Sequence, residues 1–193
     1  MSEEIESAYQ RDVRKLGPLL LQAEEAHARF TAHWKQGVRT LGWQSYKETE
    51  EYDRLLERHH ATQKRHEEAI EPTLDALRRG ELKAIETALA YLAVKARPFR
   101  SGYMSARIAR ALRRVTLEET HRSILRGIIL DRLCWPWASV VALWRWIPTL
   151  KTPDFEAAIR ALEDHEVPWI RTRVRGVIAR YGEGKPLPPS IEA

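Results

Sequence analysis

Tryptophan and arginine are the residue types in this chain whose spacing suggests contact with a ligand. Four of the seven tryptophans fall within residues 133–148, LCWPWASVVALWRWIP, and Arg145 lies between the last two of them. An exposed indole can stack on an unpaired nucleic-acid base. The planar guanidinium of arginine can donate two parallel hydrogen bonds to a phosphate. Three interpretations of the stretch are open: a membrane anchor, a base-stacking platform or the interior of a helical core.

The length of the uncharged run argues against the membrane anchor. It covers only residues 133–144 and is bracketed by Arg132 and Arg145, whereas a membrane span needs about 20 apolar residues. We therefore expect a buried core helix and no membrane partner. The first ten residues are acidic and carry no apolar core, so we expect no signal peptide. The single cysteine, Cys134, cannot form an internal disulfide, which is typical of a reducing compartment and predicts a cytoplasmic protein.

Motifs for metal, nucleotide or catalytic chemistry are not apparent. Of the seven histidines, His59, His60 and His66 lie close together in the sequence, but no two histidines are four residues apart, the usual spacing for two ligands on one helix. The chain also lacks a glycine-rich nucleotide fingerprint, a phosphate loop and a nucleophile elbow. We expect no metal, no cofactor and no enzymatic activity.

The positive charge is concentrated in the second half of the chain. Residues 1–80 carry 13 Lys and Arg against 15 Asp and Glu, whereas residues 81–181 carry 18 against 10, a net charge of +8. Such a basic region favours a polyanionic partner, nucleic acid above all. The alternative is the ordinary solvated surface of a helical protein that is rich in arginine.

Helical periodicity dominates the first 80 residues. One helix is predicted near residues 4–16 and ends at Gly17-Pro18, and a second runs from Pro18 to about Gly37. A long helix over about 44–71 is polar on nearly all sides and has too little apolar surface to be stable alone. It is predicted either to fold back on the 18–37 helix as a coiled-coil-like hairpin or to pair with a partner helix. Residues 1–80 are thus predicted to form an N-terminal helical hairpin.

Residues 81–181 are predicted to form a separate domain of three helix pairs. Thr116 with Glu119 and Thr152 with Pro153 have the spacing of helix N-termini, and Val167-Pro168 precedes the last helix. The six predicted helices cover 81–96, 103–115, 117–133, 136–147, 153–164 and 168–181. The tail, 182–193, is rich in glycine and proline and is predicted to be flexible. The fold class is therefore predicted to be all-α.

The last predicted helix resembles the second helix of HEAT-like repeats. In that family a valine-arginine pair precedes inward-facing small and apolar residues at helical spacing. Ile170 and Arg171 take the positions of the pair, and the inward positions are taken by Val174, Val177, Ile178 and Tyr181. The 103–115 helix has Ser105 in place of the arginine, and the middle pair departs further. The resemblance implies a short right-handed HEAT-like stack over residues 81–181, which in that family mainly binds proteins or nucleic acids.

A rotation of 100° per residue places the arginines on one face of these helices. Arg107 and Arg173 fall at the same angle around their helices, and so do Arg114 and Arg180. Stacking of the helix pairs would therefore align these arginines in a ridge. Trp137 and Trp144 fall on the core face, whereas Trp146 falls on the ridge. Two interpretations of Trp146 are open: its indole is exposed and stacks on a base or anchors a partner protein, or it packs under the 148–152 loop or against the N-terminal hairpin. The predicted interface comprises Arg107, Arg110, Arg114, Arg145, Trp146, Arg173 and Arg180.

Three functions remain open. The leading hypothesis is a non-enzymatic module that binds DNA or RNA, including as a subunit of a nucleoprotein assembly. The second is a protein–protein adaptor or oligomerisation protein that uses the polar helix 44–71. The third is a HEAT-like DNA glycosylase, which would use Trp146 with Asp131 or Asp164 as its acidic residue.

Overall fold

The computed structural model describes residues 2–95, 101–136 and 141–182, and all regular secondary structure within these ranges is helical. The all-α prediction is confirmed. The helices are α1 (Ser2–Leu41), α2 (Trp43–Lys47), α3 (Glu50–Arg78), α4 (Ile85–Ala93), α5 (Ser101–Leu112), α6 (Glu119–Leu133), α7 (Val141–Trp144), α8 (Pro153–Ala161) and α9 (Pro168–Val177). Short 3-10 segments cover Leu82–Ala84, Ile147–Thr149 and Leu162–Asp164, and a π-helical turn covers Ile178–Gly182. The predictions for Trp137 and for the tail from 183 lie outside the described residues.

The predicted break at Gly17-Pro18 is wrong, because α1 continues through it to Leu41. A proline inside a helix removes one backbone hydrogen bond and strains the preceding turn. Leu16 and Leu20, on either side of Pro18, are both buried in the main core. Their burial holds the two halves of α1 in line and offsets the cost of the proline.

The long polar helix, α3, also extends past its predicted end at residue 71. It is capped at its start by Thr49, whose hydroxyl accepts a hydrogen bond from the Tyr52 backbone N–H at 3.2 Å. It passes through Pro72 because Ile70, Leu74 and Leu77 form one continuous buried stripe across the proline. The helix is thus determined by its apolar face and not by its proline.

α1 and α3 form the antiparallel hairpin that the sequence predicts. His27 of α1 lies opposite His59 of α3, with ring centroids 5.1 Å apart, and Phe30 stacks on the same His59 ring at 5.3 Å. α2 forms the tip of the hairpin, where Gly37 lies directly under the buried Tyr46 ring. α3 therefore buries its inner face against α1.

The hairpin packs onto the helices that follow it. Leucines of α1 and α3 belong to the same apolar cluster as the buried residues of α4, α5 and α6. A hydrogen bond from the Thr87 hydroxyl to the Asp12 carboxylate joins α4 to α1. Arg107 of α5 joins the same body to α3 through Glu71. The hairpin therefore forms part of the core and does not project from it.

The later helices lie close to their predicted positions. α4 contacts α5 and α6, α6 contacts α8, and α5 contacts α7. Thr152 caps α8, and Pro153 and Pro168 open α8 and α9 as predicted. The predicted capping box of Thr116 and Glu119 is wrong, because α6 starts at Glu119 and its capping box uses Glu118 and His121. The HEAT-like arrangement of these pairs stays a prediction.

Candidate nucleic-acid interface

Trp146 is buried, so the packed interpretation of its indole is correct and its inclusion in the predicted interface is wrong. Its side chain is 8% exposed, and its indole Nε1 donates a hydrogen bond to the backbone carbonyl of Ala109 at 3.0 Å. The helical rotation that placed it on the surface does not apply, because α7 ends at Trp144 and a turn follows. The hydrogen bond of its indole is to α5. Trp144 is buried in the core, as predicted.

Arg107 lies on the expected helix but is occupied by an internal partner. Its two terminal nitrogens donate to the two carboxylate oxygens of Glu71, at 2.6 and 3.0 Å. This bidentate bond is the main cause that raises the pKa of Arg107 above its ordinary value. The guanidinium thus joins α5 to α3.

Arg173 is also occupied, by the backbone at the end of α6. Its Nη1 donates to the carbonyl oxygen of Leu133 at 3.1 Å, and its Nη2 donates to that of Pro136 at 3.3 Å. The Leu133 carbonyl belongs to the last turn of α6, where unpaired carbonyls carry partial negative charge, and Pro136 lies just beyond the helix. Burial lowers the pKa of Arg173. The side chain therefore caps α6 from α9.

Arg132 has the same role one helix pair earlier, and sequence reasoning missed it. Its guanidinium is buried and donates to the carbonyl oxygens of Leu92 at 2.7 Å and Val94 at 2.8 Å, at the end of α4. Burial lowers the pKa of Arg132 to about 10, so the side chain stays charged at neutral pH. The available sequence signal was an arginine within the apolar last turns of a helix.

The other four predicted arginines have no partner within the described part of the chain. Arg110, Arg114 and Arg180 are exposed and Arg145 is partly exposed. Arg113, which is not among the residues predicted from the sequence, is exposed as well, in the turn after α5. We call these five the basic surface: Arg110, Arg113, Arg114, Arg145 and Arg180.

The basic surface lies on elements that contact one another. α5 contacts α7, and the Trp146–Ala109 hydrogen bond joins α5, which carries Arg110, to the turn that carries Arg145. The Ile147–Thr149 segment then contacts the Ile178–Gly182 turn, which carries Arg180. The ion pairs within the described ranges involve none of the five guanidiniums. Their charge is therefore available to a ligand.

The buried histidines have internal contacts and are not gathered into a metal site. His66 lies with its Nε2 2.7 Å from the Tyr91 hydroxyl, and burial lowers the pKa of both His59 and His66. Over the described ranges, no three His, Cys, Asp or Glu side chains are grouped so that they could hold a metal ion. None of the helices described is both long enough and apolar enough to cross a membrane.

Comparisons of the chain with protein-family models, with curated proteins and with solved structures found no match. What the protein does must therefore be inferred from its own surface.

Proposed function

We propose that this protein is a non-enzymatic helical module that binds nucleic acid through the basic surface. The observation that carries the proposal is the set of five guanidiniums without internal partners, on contiguous elements of a region with a net charge of +8. Guanidiniums held on a rigid scaffold match the repeated phosphates of a nucleic-acid backbone. We propose the HEAT-like stack as that scaffold and the cytoplasm as its location.

The proposed interface differs from the ridge expected from the sequence. Arg107 and Arg173 form internal bonds, and Trp146 is buried, so none of the three is among the groups we propose for phosphate binding. The five arginines of the basic surface, which are the four that remain and Arg113, would act mainly on the backbone of the ligand. Binding of this kind releases counterions and falls steeply as salt concentration rises.

Fluorescence anisotropy with labelled single-stranded and duplex oligonucleotides tests the proposal. At low salt we expect binding of at least one of them, and a large loss of affinity in the Arg110→Glu/Arg114→Glu double variant. The matched control is Arg14→Glu/Arg39→Glu, which makes the same change in net charge at exposed positions of α1. Absence of binding at low salt contradicts the proposal, as does an equal loss of affinity in the control variant.

A protein–protein adaptor is a second candidate, supported by exposed apolar residues at the tip of the hairpin. Trp34, Leu41 and Trp43 are all exposed there, although isolated apolar side chains on a surface are ordinary. α3 already buries one face against α1, so the tip, and not the length of α3, would be the contact surface. Light scattering across a concentration series tests self-association, and a monomer at all concentrations would contradict the oligomerisation form of this candidate.

We do not propose glycosylase activity. The indole of Trp146 is buried, and Asp131, one of the two acidic residues considered, forms an ion pair with Lys95 at 3.0 Å. No observation on the described residues favours that reaction.

A further inference from the structure

One aromatic ring is paired with an arginine in each of the three successive helix pairs. The guanidinium carbon of Arg107 lies 5.9 Å from the centre of the Tyr103 ring. The corresponding distance is 4.2 Å from Arg132 to Trp135 and 4.7 Å from Arg173 to Trp169. We call the three rings, Tyr103, Trp135 and Trp169, the aromatic row.

The contacts of the arginines place the aromatic row at one end of the helical stack. Arg132, whose guanidinium lies over the Trp135 ring, bonds to carbonyl oxygens at the end of α4. α5 starts eight residues after α4 ends, and Tyr103 lies in the first turn of α5. Arg173, whose guanidinium lies over the Trp169 ring, bonds to the carbonyl oxygen of Leu133, the last residue of α6. The rings therefore lie where α4 and α6 end and where α5 and α9 begin.

The rings are both accessible and held in place. Tyr103 is 63% exposed, Trp169 is 38% exposed and Trp135 is partly exposed. Each arginine beside a ring is fixed by other bonds: Arg107 by Glu71, and Arg132 and Arg173 by backbone carbonyls. A ring side chain that is already held in place loses little conformational entropy when a flat partner stacks on its exposed face.

A flat aromatic ligand suits this arrangement better than a phosphate does. The three guanidiniums already have internal acceptors, so the ligand-accessible groups at this end are the rings. Unpaired bases stack on exposed aromatic side chains whatever their sequence, whereas the bases of a duplex are stacked on one another and offer no free face. The repetition of one ring in each helix pair fits a polymer with a repeated flat group.

We infer that the aromatic row stacks on unpaired bases and gives the protein a preference for single-stranded DNA or RNA over duplex. The inference rests on the proposed function, because the basic surface supplies the contacts to phosphate. Tyr103 and Arg114 are eleven residues apart on α5 and its following turn, about 16 Å along the helix axis. A single strand that follows the helices can contact both surfaces.

The test compares anisotropy titrations of single-stranded oligo-dT, single-stranded oligo-U and a duplex of equal length. The variants are Tyr103→Leu and Trp169→Leu, which keep apolar bulk without a π face. The conservative variants Tyr103→Phe and Trp169→Phe keep the ring. The matched control is Trp43→Leu, since Trp43 is 41% exposed and also contacts a cation, Lys47, but lies at the hairpin tip.

We expect each leucine variant to bind single strands about fivefold more weakly or worse, in line with the effect of removing a stacking ring. The phenylalanine variants and Trp43→Leu should keep near wild-type affinity, and the affinity of all variants for duplex should be unchanged. Comparison of the affinities for oligo-dT and oligo-U shows whether the rings prefer DNA or RNA. A single strand that contains abasic sites in place of bases should bind the wild-type protein as weakly as the leucine variants bind the intact strand.

Unchanged single-strand binding in both leucine variants would overturn the inference, as would equal affinity for the abasic and intact strands. If either result is found while the wild-type protein still binds nucleic acid in a salt-sensitive manner, the proposed function is retained and is explained by the basic surface alone. Absence of all binding at low salt overturns both. An equal loss in Trp43→Leu assigns the effect to general exposed apolar surface and also overturns the inference.

Discussion

The indole Nε1 of Trp146 donates a hydrogen bond to the backbone carbonyl of Ala109, 3.0 Å away. This bond joins the turn after α7 to the middle of α5, two segments that are 37 residues apart in the chain. It also joins the segment that carries Arg145 to the helix that carries Arg110. Trp146 is therefore a positioning residue within the protein and not a stacking platform.

Replacement of Trp146 by phenylalanine should destabilise the protein without abolishing binding. The ring fills most of the same space, but the Ala109 carbonyl loses its donor, which costs about 1–3 kcal/mol for a buried group. Denaturant unfolding measures the loss in the free energy of unfolding, with the exposed Trp43→Phe as control. Equal stability of the two variants would show that the hydrogen bond contributes nothing.

Replacement of Arg132 by lysine should also be destabilising, although the charge is kept. The planar guanidinium reaches the Leu92 and Val94 carbonyls at once and contacts the Trp135 ring, whereas a compact ammonium cannot reproduce this geometry. We expect a loss of about 1–3 kcal/mol in the free energy of unfolding. The control is Arg113→Lys in the exposed turn after α5, which should change stability little. A neutral effect of Arg132→Lys would contradict the capping role.

The stability of the protein should fall as pH is lowered from about 7 towards 5. Burial lowers the pKa of His59 and His66 in the folded chain, so below a pH of about 6.5 the unfolded chain takes up protons that the folded chain does not. The stabilisation due to the neutral rings is present above that pH and is lost as pH falls through the lowered pKa values. The limiting slope is about 1.4 kcal/mol per pH unit for each histidine.

Urea denaturation at several pH values, repeated on His66→Gln, measures this contribution. The groups around His66 are Gln63, Glu67 and Tyr91, and all three are kept in the variant. We expect a shallower pH dependence in the variant than in the wild-type protein. Identical slopes in the wild type and His66→Gln would count against a buried, neutral His66.

The close approach of Gly37 to Tyr46 makes a usually favourable substitution harmful. Replacing a glycine inside a helix with alanine ordinarily stabilises it by up to about 1 kcal/mol. A Cβ at Gly37 would come within 2.1 Å of the buried Tyr46 ring, so Gly37→Ala should destabilise the hairpin tip. Gly127→Ala in α6, where a Cβ meets nothing within 4 Å, should be neutral or stabilising. Thermal unfolding compares the two, and a stable Gly37→Ala would contradict this packing.

Local signals along the chain predicted much of the fold. Thr152, Pro153 and Pro168 mark helix starts because capping and the fixed proline φ act within a few residues. Pro18 and Pro72 led to wrong helix ends for the opposite reason. The leucines next to them are buried against residues that are distant in the chain, and this packing stabilises α1 and α3 across the prolines. A helix boundary is predictable from sequence when local chemistry decides it, and it is not when tertiary packing does.

The candidate site was less predictable, because its arginines are sorted by long-range contacts. The helical rotation places Arg107 and Arg173 on the outer face of their helices. Arg107 instead bonds to Glu71, 36 residues away in the chain, and Arg173 bonds to the end of α6, about 40 residues away. The helical rotation does not give the position of the Trp146 side chain, because α7 ends two residues before Trp146. Arg110, Arg114 and Arg180 are exposed, as the sequence predicted.

The salt dependence of nucleic-acid binding tests the central claim most directly. Each phosphate contact to a single strand contributes about 0.7 to the slope of log K against log salt concentration. The Arg114→Gln/Arg180→Gln variant should therefore lower the magnitude of the slope by about 1.4, while Arg14→Gln/Arg39→Gln on α1 leaves it unchanged. A slope that is the same in the wild type and in Arg114→Gln/Arg180→Gln would contradict the claim that the basic surface binds the nucleic-acid backbone.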